Sequence, residues 1–217
     1  MAVSLPDGSI FSVANQYGQS VSVTAISNAE DAVVTAPGHG LAAGDVIELV
    51  SGWGGINERL FRVTAVNEDD LTLGTVDTSD TELFESGAGI GSLRKVESWT
   101  QVTQILGLEA QGGEQQFSTF EFLEENFERQ LPSKTSAQSL TIRIADDDTL
   151  PGYQVLDKAT QERKARGARI RLPVGAYIFY NGYYSLNTTP SLTKGEVMAV
   201  TCTYSLAGRP VRYQTSN

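Results

Sequence analysis

Cysteine, histidine and long apolar runs are what this chain of 217 residues has least of. The one cysteine, Cys202, cannot close an internal disulfide, and inside the apolar stretch 198–206 it reads as core filling. The one histidine, His39, stands in a Gly-His-Gly turn, and no Gly-x-Ser-x-Gly elbow accompanies it to build a Ser-His-Asp triad. One His and a distant Cys also fall short of the three or four ligands of a zinc site. No apolar stretch approaches the roughly 20 residues that span a bilayer. Met1 to Gly8 has neither the basic start nor the apolar centre of a secretory signal, so the expectation is a protein made and kept in solution, away from membranes. Bases are scarce too: 16 Lys and Arg against 26 Asp and Glu leave a net charge of -10. That balance excludes the cationic surface with which DNA binders displace counterions from phosphate. Residues 1–98 carry 14 acids against 4 bases, whereas residues 99–217 carry 12 of each.

The remaining chemical motifs are incomplete. Asp146-Asp147-Asp148 lacks the alternate-position ligands and glycine of a calcium loop, and reads as acid placed at a helix start. Gly87 to Gly91 lacks the Lys-Ser/Thr of a phosphate loop. Glu109, Glu114, Glu121, Glu124 and Glu125 supply carboxylates, but acidic strands alone do not make a glycosidase pair. Catalytic residues, cofactors and metals are therefore all expected to be none.

What is plentiful is Val, Thr, Ser and Gly, the composition of a mainly β protein. Val102, Ile105, Leu106 and Leu108 mark one strand and Phe117 to Leu123 another. Leu140, Ile142 and Ile144 alternate with polar residues, as do Met198, Val200, Cys202, Tyr204 and Leu206. Between Asp146 and Arg166 the period becomes helical, with Tyr153, Leu156 and Ala159 on one face, bases in the last turns and Gly167 as the stop. Tyr180-Asn181-Gly182-Tyr183 carries the signal of a type I′ hairpin.

Residues 29–74 have a different texture, short strands punctuated by Gly and Asn/Asp turns. Their pattern, Gly38-His39-Gly40-Leu41, Gly44-Asp45-Val46, then Asn57 to Val66 and Leu71 to Leu73, resembles the small β-barrel module of the FCCH type. Gly40 and Gly44 would take positive-φ turn positions and Asp45 would close a turn through its carboxylate. Such a unit is expected to bury its own small core. Residues 75–98 read as a long loop or hairpin.

Three segments stand in a telling order: Arg169-Ile170-Arg171-Leu172-Pro173-Val174-Gly175, then Phe179 through Gly182 to Ser185, then Glu196-Val197 through Ser205 to Gly208-Arg209-Pro210. In this order they resemble the C-terminal half of siphophage tail tube proteins of the lambda-like kind. The resemblance implies a tail-tube-type β-sandwich or half-barrel with one flanking α-helix, formed by residues 1–28 and 75–217, with 29–74 inserted as a small β-barrel. It further implies a virion protein that polymerises as stacked hexameric rings into the conduit for DNA ejection. Its partners would be itself and the tail terminator, tape measure and baseplate proteins, with genomic DNA passing without tight binding. It would be made in the host cytoplasm and end in the virion tail.

Acids on the inner strands would face the channel, and the candidates are Glu109, Glu114, Glu121 and Glu124. Opposite charges on Asp77, Asp80, Glu82 and Glu85 and on Lys158, Arg163, Lys164 and Arg166 are candidates for contacts between subunits or rings. The alternative is a receptor-binding or adhesive tail or baseplate protein whose barrel holds carbohydrate through Trp53. An enzyme acting on the cell wall is a distant third.

Overall fold

The computed structural model describes residues 7–214, so most of the segment 1–8 read above for a secretory signal, and the last three residues, lie outside the described residues. Among the described residues the protein is mainly β with one helix, and its main sheet curls into a half-barrel. The strands begin with β1 (Ile10–Tyr17), β2 (Val21–Val23), β3 (Ala25–Ile26), β4 (Ala32–Thr35), β5 (Val46–Ser51), β6 (Arg59–Asn67) and β7 (Asp70–Leu73). There follow β8 (Gly91–Gln101), β9 (Ile105–Gln111), β10 (Gln115–Phe120), β11 (Arg129–Thr135) and β12 (Ser139–Ala145). The helix α1 (Pro151–Glu162) precedes β13 (Arg166–Arg171), β14 (Tyr177–Ser191), β15 (Ala199–Leu206) and β16 (Val211–Tyr213). The large sheet runs β3-β4-β7-β6-β5-β8-β1-β13-β14-β15-β12-β9, with β2 and β16 attached to β8 and β14. Among the described residues only β10 and β11 stand apart, as a two-stranded ribbon.

Two apolar clusters hold this sheet. In the second half, alternation puts Leu140, Ile142, Ile144, Val200, Cys202 and Tyr204 on one face, and α1 lays Leu156 and Ala159 over them together with Phe11, Val13 and Ala168. Each fully buried Leu or Ile contributes roughly 1.5–3 kcal/mol to that packing. Thr160 fixes the helix to the sheet, its Oγ1 accepting from the Leu186 N–H at 3.0 Å.

The other cluster gathers Val34, Ile47, Leu49, Phe61, Leu71 and Leu73 from the 29–74 region. It is not self-contained, because Ala14, Phe179, Val211 and Tyr213 of the main sheet complete it. The Tyr213 hydroxyl accepts from the Arg62 N–H at 2.9 Å across the same junction. Gly40 and Gly44 adopt positive φ and the Asp45 carboxylate accepts from the Ala42 N–H, while His39 Nδ1 accepts from the Leu41 N–H, so these turn residues act as their types suggest.

Other local expectations are corrected. The helix starts at Pro151, whose missing N–H costs nothing there, and stops at Arg163 in the left-handed conformation (φ 52°). Asp147 instead closes its own turn with Thr149, and no acid lies in the first helical turn and no base in the last. Gly167 lies within β13, where an added Cβ would come 2.5 Å from Leu60 Cδ1. No hairpin turn forms at Asn181-Gly182, because β14 runs straight through it. The reversal sits at 172–176, where Gly175 supplies φ 84°. Gly182 is needed for close approach: a Cβ there would lie 2.1 Å from the Ser205 carbonyl oxygen. The stretch from Val102 to Leu108 is broken by Gln104 at φ 58°, so Val102 packs in the core below the end of β8 and β9 begins at Ile105.

Candidate functional site

The side of β9, β12, β15 and β14 that faces away from the helix is a carpet of small polar groups. Pairing aligns Glu109, Thr141, Thr203 and Ser185 in one transverse row. Gln111, Ser139, Ser205 and Tyr183 form the next, and Gly107, Arg143, Thr201 and Asn187 the third. Because the strand period is two, the buried residues between them fix this whole face outward. These rows contain one acid and one base, and Arg143 lies 3.9 Å from Glu196. Hydroxyl and amide groups of this kind exchange hydrogen bonds with water at little cost and offer phosphate no ion pair. β9 ends the large sheet among the described residues, leaving its outer backbone groups open to pairing.

From β9 the chain turns into the arm. Gly112 and Gly113 make the kink with φ of 76° and 84°, and a Cβ on Gly112 would lie 2.0 Å from the Ala137 carbonyl oxygen. Glu114 and Ser136 clasp the base: Ser136 Oγ accepts from the Glu114 N–H and the Glu114 carbonyl from the Ser136 N–H. Beyond it β10 and β11 pair only with each other. A lone two-stranded ribbon is marginal in water, and this one leaves Phe117, Phe122, Leu123, Phe127 and Leu131 exposed. Within its tip Arg129 pairs with Glu125 and covers the Phe122 ring. The family-like Gly208-Arg209-Pro210 turn lies at the arm's base, where Arg59 donates to the Arg209 carbonyl at 2.9 Å and ties it to the strands of 29–74.

The acidic segment before β8 is anchored rather than loose. Thr78 is fully buried, Asn28 donates to the carbonyls of Thr78 and Phe84, and Trp53 Nε1 donates to the Glu85 carbonyl at 2.8 Å. The turns end at Gly91, so 91–98 belong to a strand. Asp77, Asp80, Glu82 and Glu85 are exposed on this cap. Two hydrogen bonds from Ser79 hold the Asp77 carboxyl below its ordinary range. Trp53 is buried against Phe84 and Gly89, so its ring is not available to stack on a sugar.

Lys158, Arg163 and Lys164 are exposed beyond the far core, and no ion pair joins them to the acidic cap within one chain. Arg166 is buried, donating to the Ala14 and Asn15 carbonyls and to Glu162. That bond holds the Glu162 carboxyl below its usual value. Of the four proposed channel acids, Glu109 lies on the polar face, Glu114 at the arm's base, and Glu121 and Glu124 in the arm's turn, off the large sheet. Sequence reasoning missed the polar rows. Their signal was present in Thr201, Thr203 and Ser205, which alternate with the buried residues of β15.

A family model described as phage tail tube protein, TTP, matches residues 51–215. No curated protein matches the chain.

Proposed function

Because that match covers well over half of the chain, the protein belongs to the phage tail tube protein family, and we propose that it closes into hexameric rings which stack into the conduit for DNA ejection. The observation that carries this reading is the polar face of β9, β12, β15 and β14, backed by a complete core and ending at an open strand edge. Joined edge to edge, such faces would line a bore with hydroxyl and amide groups. DNA moving past them meets no run of cations on which counterion release could anchor it. Glu109 would add weak repulsion in every copy. The arm would cover its apolar side chains on a neighbouring subunit, and the strands of 29–74 would decorate the outside.

Stacking would be helped by Asp77, Asp80, Glu82 and Glu85 meeting Lys158, Arg163 and Lys164 of an adjacent ring. Each exposed pair contributes roughly 0.2–1 kcal/mol, repeated around the ring and weakened by salt. Tail terminator, tape measure and baseplate proteins would bind the ends and the lumen of the tube, which is assembled in the host cytoplasm.

Electron microscopy and sedimentation of the purified protein test this. Hollow tubes with stacked rings are expected, and a strictly monomeric mass at every concentration and salt tried would end the proposal. Reversing Asp80 and Glu82 to Lys should halt elongation at rings, with partial recovery on adding Lys164→Glu. Unimpaired elongation of the first variant would remove the cap from the stacking contact.

A further inference from the structure

One exposed corner of the sheet gathers arginine and aromatic groups with no carboxylate. Pairing across β8, β1, β13 and β14 places Gln101, Ser12 and Arg169 in one row and Ile10, Arg171 and Tyr177 in the next, with Trp99 beside them. These residues line a shallow notch. The Arg169 guanidinium lies 4.6 Å from the Trp99 ring centre and 6.0 Å from that of Tyr177. Arg171, exposed, stands on the same face two residues along.

Of the other partly buried cations, Arg59 is held by the Arg209 and Gly55 carbonyls and Arg62 lies over the Tyr213 ring, while three find carboxylates: Arg94 has Glu48, Lys95 has Asp45 and Arg166 has Glu162. Among the described residues Arg169 and Arg171 have none. Burial pulls the Arg169 guanidinium below its ordinary range, with Tyr177 acting the other way and Arg171 adding a smaller lowering. Arginine held between aromatic rings, half out of water and short of a counter-charge, is the composition of an interface centre.

We infer that this notch receives the arm tip of a second copy, residues 120–128. The inference rests on the tube reading and names the surface on which the arm closes. The complementarity is on both counts. The tip reads Phe-Glu-Phe-Leu-Glu-Glu-Asn-Phe-Glu, and among the described residues only Glu125 of its acids is paired, with Arg129. Glu121, Glu124 and Glu128 are free to accept from the two guanidinium groups, and Phe122, Leu123 and Phe127 are exposed to cover Trp99 and Tyr177. Among the described residues, no hydrogen bond, ion pair or ring contact ties the tip to its own chain outside the arm. Charge-assisted bonds between guanidinium and carboxylate would set the register, and the aromatic groups would exclude water.

The test mixes two full-length variants, one carrying Leu123→Cys and one Gln101→Cys, both at exposed positions, with Cys202 buried and unreactive. Under mild oxidation during polymerisation a disulfide-linked heterodimer is expected. In parallel, Arg171→Glu, which leaves the half-buried Arg169 in place, should raise the protein concentration needed for polymerisation by about tenfold or more. Adding Glu121→Arg and Glu124→Arg should recover much of it. Tubes that grow normally from Arg171→Glu and give no cross-link overturn the notch and leave the tube reading standing. Recovery by reversal of Asp80 and Glu82 instead of the arm acids would seat the acidic cap there and also overturn it. A wild type that never polymerises would remove both readings.

Discussion

Replacing Leu123 and Phe127 by serine separates folding from assembly. Leu123 is fully exposed (104%) and Phe127 is 70% exposed, so neither is held by the core of its own chain. Surface changes of this kind alter stability by no more than about 0.5 kcal/mol. Urea unfolding of the variant at a concentration too low for polymerisation should therefore overlay the wild type. In an assembly that covers the arm the two side chains would leave water. Full burial of a Leu or Phe contributes roughly 1.5–3 kcal/mol, and scaling by present exposure gives about 2.5–5 kcal/mol for the pair. Ordering the arm offsets part of that gain. The lower end still corresponds to a rise of about sixtyfold in the concentration at which polymer first pellets. Pelleting across a concentration series measures it directly. The reasoning fails if the variant polymerises at the wild-type concentration, or if its monomer loses more than about 1 kcal/mol, since either result would mean that these side chains already serve the folded chain.

Excising residues 29–74 with a short Gly/Ser bridge should give an aggregating or unfolded chain, because it strips the cover from Phe179, Val211 and Tyr213; a soluble, cooperatively melting deletion would contradict the shared core. Gly182→Ala should cost about 1–3 kcal/mol by forcing β14 from β15, whereas Gly107→Ala, with open space at its Cβ position, should be close to neutral in the same thermal melts. Equal effects would refute the close-approach account. Burial pushes the Cys202 thiol up to about 12. Its folded value lies above the unfolded one near 8.5, so its contribution to stability is complete below about pH 8.5 and falls as pH rises toward 12. Cys202→Ala should flatten that alkaline limb of a denaturation series, and the native thiol should react with an aromatic disulfide reagent only as fast as the protein unfolds; rapid labelling of folded protein would show that the side chain is not sealed.

Strands that bury one face were legible because burial writes itself as alternation: β12 and β15 stand where the apolar periods of 140–144 and 198–206 put them. The arm was legible only in part: the strand read at Phe117 to Leu123 overlaps β10, but not through alternation. With both faces of β10 and β11 in water, Phe117 and Leu131 sit among polar neighbours without a period, and the segment 129–135 carries no sign of its pairing. Asn181-Gly182 misled because a glycine that lets two backbones approach has the same letter as one that turns a chain. Arg166 looked like a helix end, yet its depth comes from the Ala14 and Asn15 carbonyls of β1, which lie far from it in sequence and meet it only in the fold. Of the channel-facing candidates, Glu109 lies on the polar face and the other three lie in the arm. Charged residues draw notice, whereas a surface made of Thr and Ser is recognised only when register sets its rows side by side.

β8 has a mechanical consequence. One end of this strand is bonded to β5 and the other to β1, so a single stretch of backbone joins the outer strands to the main sheet. The outer strands are therefore not hung on a hinge. A sideways load on them reaches the main sheet along rows of hydrogen bonds strained in parallel, which resist together, and not one after another as in peeling. In a filament that bends and recoils, projections rooted in this way would keep their angle to the wall and give its exterior a fixed tread.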